Sequence, residues 1–344
     1  MKTLRLALIY ATAIMGAVQI QAQISVGRLT NLSTRGFMDD SIIGQLKPMI
    51  VGFNVSGGPK TVLVRAIGPS LSMFNVPGLE ASADPEFPDA KVGTYFDIYL
   101  NNQTDIRRVL PIDYFDWADL VEHFYRYQDM VLAENSVGAF LPIQGNYDSV
   151  NVFPCDAALY SVIIRGTGDE PKGVVLGEIY DMDYETNPTS RLTNVSTRGL
   201  VMPTDGETMI VGFAIEGGPL SVLIRGVGPG LVSFGVADAV RTTTLTLYDN
   251  TGAIGYNGAW QSPVSGKGAN VIALTNATQS VFASVGAFNL ANGSDDSAMV
   301  VTLPPGTYTA IVGGKGQTGE GLVEVYDLGV AATEAAVNAA NASR

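Results

Sequence analysis

Residues 28–36 read Arg28-Leu-Thr-Asn-Leu-Ser-Thr-Arg-Gly36, and residues 191–199 repeat them as Arg191-Leu-Thr-Asn-Val-Ser-Thr-Arg-Gly199 with one conservative change. The echo continues in order along the chain. Met49-Ile-Val-Gly-Phe53 returns unchanged at 209–213, and Gly-Gly-Pro at 57–59 returns at 217–219. Val62-Leu-Val-Arg-Ala-Ile-Gly-Pro69 is answered by Val222-Leu-Ile-Arg-Gly-Val-Gly-Pro229. Ser136-Val-Gly-Ala-Phe140 matches residues 284–288, and Glu178-Ile-Tyr-Asp181 matches Glu324-Val-Tyr-Asp327. The period far exceeds the roughly 20–50 residues of a solenoid unit, so a whole domain has been copied. A length of 344 residues agrees, because one domain takes about 150. The repeat ends place copy one at 24–183, a polar linker at 184–190, copy two at 191–329 and an Ala-rich tail at 330–344. Each copy is long enough to bury a core and is expected to fold alone, unless a strand next to the linker is exchanged between them.

The copied segments read as strands. Thr61-Val-Leu-Val-Arg65 and Ser221-Val-Leu-Ile-Arg225 are short β-branched runs that stop at Gly-Pro turns. Leu245-Thr-Leu-Tyr-Asp249 alternates and then meets Asn-Thr-Gly, a hairpin signal. Residues 299–303 and 308–312, joined through Pro304-Pro-Gly306, read as another hairpin, and 321–326 as the closing strand. In copy one, residues 83–90 form a Pro- and acid-rich loop and 116–128 the best helix, with Trp117, Leu120, Val121, Phe124 and Tyr127 on one face. The expected fold is all-β: two homologous antiparallel β-sandwich or jelly-roll domains in tandem, with one short helix inserted in the first.

Composition removes several function classes. One cysteine, Cys155, excludes an internal disulfide framework and Cys-rich metal sites, and one histidine, His123, excludes His-rich ones. A net charge of −13 argues against nucleic acid as a partner. Residues 1–22 read as a secretory signal peptide: Lys2 and Arg5, then an apolar run to Val18, then Ile20-Gln-Ala22. No later apolar run is long enough to span a membrane as a helix. The chain is therefore expected outside the cell, at its surface or in the periplasm.

The paired phrases Arg-Leu-Thr-Asn-x-Ser-Thr-Arg-Gly, Val-Leu-[Val/Ile]-Arg-x-x-Gly-Pro and Glu-[Ile/Val]-Tyr-Asp resemble a tandem repeat module of secreted proteins from environmental bacteria. The second half of each copy is similar to the bacterial pre-peptidase C-terminal (PPC-like) β-sandwich. Residues 245–252, 300–312 and 322–327, with Pro-Gly-Thr-Tyr among them, carry that likeness. The resemblance implies a non-catalytic appendage or surface component; no catalytic domain accompanies it here.

Chemistry-bearing constellations are sparse. Gly314-Lys-Gly-Gln-Thr-Gly319 has the letters of a dinucleotide fingerprint but lies between two strand-like runs, which makes it a loop. Gly57-Gly-Pro-Lys-Thr61 is a turn, with Leu220 at the lysine's place in copy two. His123 lacks a nucleophile elbow and any counterpart in copy two, so no catalytic residue is named. Asp249, Asn250, Asp295 and Asp296 are turn-forming acids and amides that offer oxygen ligands, and calcium is the one cofactor they would suit. Tyr256, Trp260 and Trp117 are the candidate aromatic platforms for a sugar. Arg65 and Arg225 recur at strand ends, and the expected structural pairs are Arg65 with Asp181 and Arg225 with Asp327. The expectation is an exported, non-enzymatic structural or adhesive protein of the cell surface or extracellular matrix. Its partners would be surface polysaccharide, other extracellular proteins or its own copies. A carbohydrate-binding protein is the alternative, and a hydrolase a distant third.

Overall fold

A computed structural model describes residues 27–41, 46–82, 93–100, 106–109, 120–143, 147–202 and 208–329. The leader, the loop at 83–90, Trp117 and the tail lie outside these, as do the side chains of residues 120–127, His123 included. Copy one runs β1 (Arg28–Asp39), β2 (Met49–Ser56), β3 (Lys60–Ile67), β4 (Leu79–Ser82), β5 (Thr94–Leu100), β6 (Ile106–Val109), α1 (Leu120–Ser136), β7 (Ser149–Cys155), β8 (Leu159–Gly166) and β9 (Asp169–Asp181). Copy two runs β10 (Arg191–Val201), β11 (Met209–Glu216), β12 (Leu220–Val227), β13 (Thr244–Asp249), β14 (Gly252–Asn257), β15 (Ala273–Asn276), α2 (Gln279–Ser284), β16 (Ser297–Leu303), β17 (Gly306–Gly313) and β18 (Gly319–Asp327). The fold is an all-β antiparallel sandwich. The helix is not peculiar to copy one: α1 and α2 both end on the serine of the shared Ser-Val-Gly-Ala-Phe, and α1 continues well past the expected residue 128.

The two copies are woven together. One sheet runs β7-β3-β9-β1 and then crosses into copy two as β11-β17-β13-β14. The other runs β15-β16-β12-β18-β10 and crosses into copy one as β2-β8-β5-β6. The first strand of each copy thus borders the second strand of the other. Ser33 lies opposite Gly212 in the first crossing, and a Cβ on that glycine would sit 2.5 Å from the serine hydroxyl. Gly52 stands in the same relation to Ser196 at the second crossing, again at 2.5 Å, so a pseudo-two-fold relates the copies.

Residues 299–303 and 308–312 do not form a hairpin. β16 pairs with β12 and β15, whereas β17 pairs with β11 and β13, so Pro304-Pro305 arches from one sheet to the other. The reason is local: a tight hairpin turn needs positive φ at its centre, which proline cannot adopt. β13 and β14 do pair as an antiparallel hairpin.

Alternation fills the space between the sheets with one apolar core drawn from both copies, including Leu32, Phe53, Val64, Val195, Phe213 and Ile224. The stack of Phe53 on Tyr160 recurs as Phe213 on Tyr308, with centroids 5.0 and 5.6 Å apart. The alternate residues of β3 and β12 face outward, where α1 and α2 cover them with two smaller clusters built around Leu63 and Leu223. The expectation of two self-sufficient copies therefore meets a core and two sheets that they share.

Strand direction gives the molecule two unlike poles. β1 and β10 run parallel, with Leu29 beside Leu192 and Phe37 beside Leu200, and β3 and β12 run the same way. At their starting pole Arg191 binds both the Gly27 carbonyl and Asp327, and Arg28 donates to the Tyr184 carbonyl at 2.8 Å. Both ends of the described chain and the linker thus meet at one pole. At the opposite pole β3 and β12 run into short 3-10 turns, Pro69–Phe74 and Pro229–Phe234.

Candidate functional site

Each of those turns follows a Gly-Pro that breaks the strand and places Pro at the turn's start, where its missing N–H costs nothing. Each closes on a left-handed residue, Asn75 (φ 56°) or Gly235 (φ 84°). Each turn carries no charge; Leu71 and Leu231 point inward, while the aromatic ring at the end of the turn points outward. Phe74 is 51% exposed and Phe234 61%, flanked by exposed Met73 and Val232. Single exposed apolar residues are ordinary; the same arrangement at the same pole of both copies is not.

A buried aspartate clamps each turn. Asp296 Oδ1 accepts from the backbone N–H of Gly228 at 2.8 Å and of Gly230 at 3.1 Å, while its Oδ2 accepts from the Ser294 hydroxyl. Asp148 does the same work in copy one, accepting from Gly68 N–H at 2.7 Å, and burial pushes its carboxyl up to about 6.

Beneath each tip stands a column that starts at a recurring arginine. The Arg65 guanidinium lies 4.4 Å from the centre of the Phe140 ring, and Phe140 meets Phe74 edge-on at 4.9 Å. Arg225 lies 4.3 Å from the Phe288 ring, and Phe288 meets Phe234 edge-on at 4.7 Å. Both arginines are fully buried. Cation–π contact of this kind strengthens as water is excluded.

The carboxylates that balance these arginines are not the expected ones. Arg225 Nε lies 2.9 Å from Glu324, and Arg65 Nε lies 3.3 Å from Glu178 and 3.4 Å from Glu134 of α1. Register is the reason: Arg65 faces Glu178 and Arg225 faces Glu324 across the strands, whereas Asp181 and Asp327 stand three residues, or about 10 Å, further along. Asp181 pairs with Lys60 at 2.7 Å, and Asp327 with Arg191. Tyr180 and Tyr326 donate to Glu178 and Glu324. The copies differ at one point. Counting back from Ser-Val-Gly-Ala-Phe, Glu134 corresponds to Phe282, whose ring lies 4.8 Å from Arg225. Arg65 therefore faces two carboxylates, where Arg225 faces one carboxylate, two phenyl rings and, at 2.7 Å, the Phe288 carbonyl.

The other expected residues are scattered. Trp260 is only 4% exposed, tilts against Phe282 and donates its indole N–H to the Ala291 carbonyl, so it packs the second cap and offers no sugar platform. Tyr256 is 44% exposed on β14. Asp249 and Asn250 do not meet Asp295 and Asp296. Thr243, before β13, bonds the Asp295 carbonyl, and Asp249 ends that strand about 20 Å away at the opposite pole. Asp249 instead caps its own turn, accepting from Thr251. Among the described residues no group of three or more His, Cys, Asp or Glu stands close enough to hold a metal. Residues 314–319 form a turn with left-handed Lys315 and Gly316, and Cys155 is buried in the core. A cleft of about 580 Å³ lies where β10 meets β2, lined by Asn54, Thr193, Asn194, Ser196, Glu324 and Tyr326 among others. Among the described residues no helix is long and apolar enough to cross a membrane.

No family model and no curated protein matches this sequence. Among solved structures the chain is paired with vicilin from Corylus avellana (hazelnut) at 6% identity, over 81% of this chain and 72% of that one. The TM-score is 0.15, which carries no argument about fold or function.

Proposed function

We propose that this chain is an exported, non-catalytic structural or adhesive protein of the cell surface or extracellular matrix, and that the two apolar tips are its contact points. The observation that supports this reading is the polarity of the sandwich. Both ends of the described residues meet at one pole and both tips leave the other, so a molecule held at that pole presents Phe74 and Phe234 outward. The arginine–phenylalanine columns and the aspartate clamps fix those side chains beforehand, which lowers the ordering cost of making a contact. Retention of the exported protein on cell surfaces or matrix tests the idea. Phe74→Ser with Phe234→Ser should keep the parent's β content and melting temperature while losing most of the retention. Full retention by the folded double variant would remove the tips from the function.

A second reading has an observation of its own. The cleft between β2 and β10 is lined largely by amides and hydroxyls, groups that suit the hydroxyls of a neutral polysaccharide. Glycan binding abolished by Asn54→Leu with Ser196→Val, and untouched by the Phe74 and Phe234 changes, would favour it.

A further inference from the structure

The contact between the two copies is built from equivalent halves. β1 of copy one lies along β11 of copy two from the Arg28–Glu216 pair to the Arg35–Ile210 pair. β10 of copy two meets β2 of copy one at the pseudo-two-fold position, through Arg191–Ser56 and Leu192–Val55. Nothing in this contact requires that the two copies belong to one chain. Only the linker at 184–190 makes them neighbours.

We infer that the same copy-to-copy contact also forms between chains, so that the partner of this protein is a second molecule of itself. Copy one of one chain would dock on copy two of another. Two chains exchanging both copies close into a dimer; chains exchanging in series grow into an open fibre. Every strand pair and core contact is kept in the exchanged form, so its free energy differs from that of the single chain only through the linker and the entropy of association. A short linker gives the two copies of one chain a high effective concentration for each other, which favours the closed single chain in dilute solution. Crowded chains that fold side by side reverse that preference. The inference goes beyond the adhesive reading and does not depend on the tips: a matrix protein that links end to end needs no other component.

The single native cysteine is buried, which makes a cross-linking test clean. Ser33 and Gly212 face each other across the crossing, close enough for a disulfide between cysteines placed there. The full-length chain carrying Ser33→Cys and Gly212→Cys together should form the bond within one chain, which checks the pairing itself. Two single variants, one with Ser33→Cys and one with Gly212→Cys, are then unfolded, mixed and refolded together with all thiols reduced, and oxidised only after folding has buried Cys155 again. The bond joining the two kinds of chain forms only if β1 of one lies along β11 of the other. The expected result is a cross-linked dimer whose share rises about tenfold for each tenfold rise in protein concentration while it is scarce. Cross-linking in the double variant with none in the concentrated mixture would overturn the inference. Failure of the double variant to cross-link would overturn the strand exchange from which it is drawn.

Discussion

Arg225 offers the sharpest test of what supports the tip of copy two. Its guanidinium is buried, ion-paired to Glu324 at 2.9 Å, hydrogen-bonded to the Phe288 carbonyl at 2.7 Å and held between the rings of Phe282 and Phe288. Arg225→Ala leaves the buried Glu324 carboxylate without its cation and with the Tyr326 hydroxyl still donating to it, a loss of about 3–5 kcal/mol for a buried pair, against about 1 or less for an exposed one. The lost phenyl contacts push the result toward the upper end. Because the main core draws on both copies, the loss should appear in one urea transition of the whole molecule, with the slope kept and the midpoint lowered. Arg225→Met with Glu324→Leu separates charge from packing. Removing both partners abolishes the stranded charge, so the double variant should recover most of the stability. A single variant that melts with the parent would mean that the arginine is not the buried support described here. A double variant no better than Arg225→Ala would mean that packing, not the unpaired carboxylate, sets the loss.

Two further outcomes follow from the same geometry. Burial pushes the Glu134 carboxyl up to about 7 from its ordinary 4.5, against the pull of Arg65 and with Glu178 and Asp148 adding to the rise. The proton it holds stabilises the fold fully below pH 4.5, and that contribution is lost as pH rises through about 7. Urea midpoints should therefore fall between pH 5 and pH 8. Glu134→Gln should flatten that fall without abolishing it, since Asp148 and Asp181 are each raised to about 6 and act in the same direction. Equal slopes in parent and variant would remove Glu134 from the account. As for the separated copies, residues 24–187 and 188–344 each lose the neighbour of their first and second strands. Each alone should run as a homodimer or precipitate in light scattering, and a mixture refolded together should recover the parent's circular dichroism. A cooperative melt from a monomeric half would refute the shared core.

The duplication, the strand content and the pairing of β13 with β14 were legible because each rests on local pattern: repeated words, alternation, and turn residues at the right spacing. The weave of the copies was not, and the reason is the repeat itself. Met49-Ile-Val-Gly-Phe53 and residues 209–213 are identical, so β1 finds the same side chains on β2 and on β11. Burial pattern and register are satisfied equally by either neighbour, and only the three-dimensional path of the chain decides. The arch at Pro304-Pro305 departs from the expected hairpin for a nearer cause. Two alternating runs around a Gly were enough to suggest a hairpin, although the prolines already forbade the positive φ that its turn would need.

At the tips, recurrence in both copies points to Arg65 and Arg225, but their carboxylate partners lie three residues from the expected ones. The closing motif offers a glutamate and an aspartate three residues apart, and sequence does not say which stands across from the arginine. The difference between the copies bears on the contact role proposed for the tips. Glu134 in one copy gives way to Phe282 in the other, so the charge balance around the arginine is free to vary. What both copies keep is the arginine, the glutamate across the strands from it, the cap phenylalanine resting on it, the tip phenylalanine resting on that, and an aspartate holding the turn from the side. A buried cation that served only the core would need its carboxylate and nothing more. Here it also supports an aromatic column that ends in solvent, and an apolar ring held rigidly in water gains stability only when something covers it.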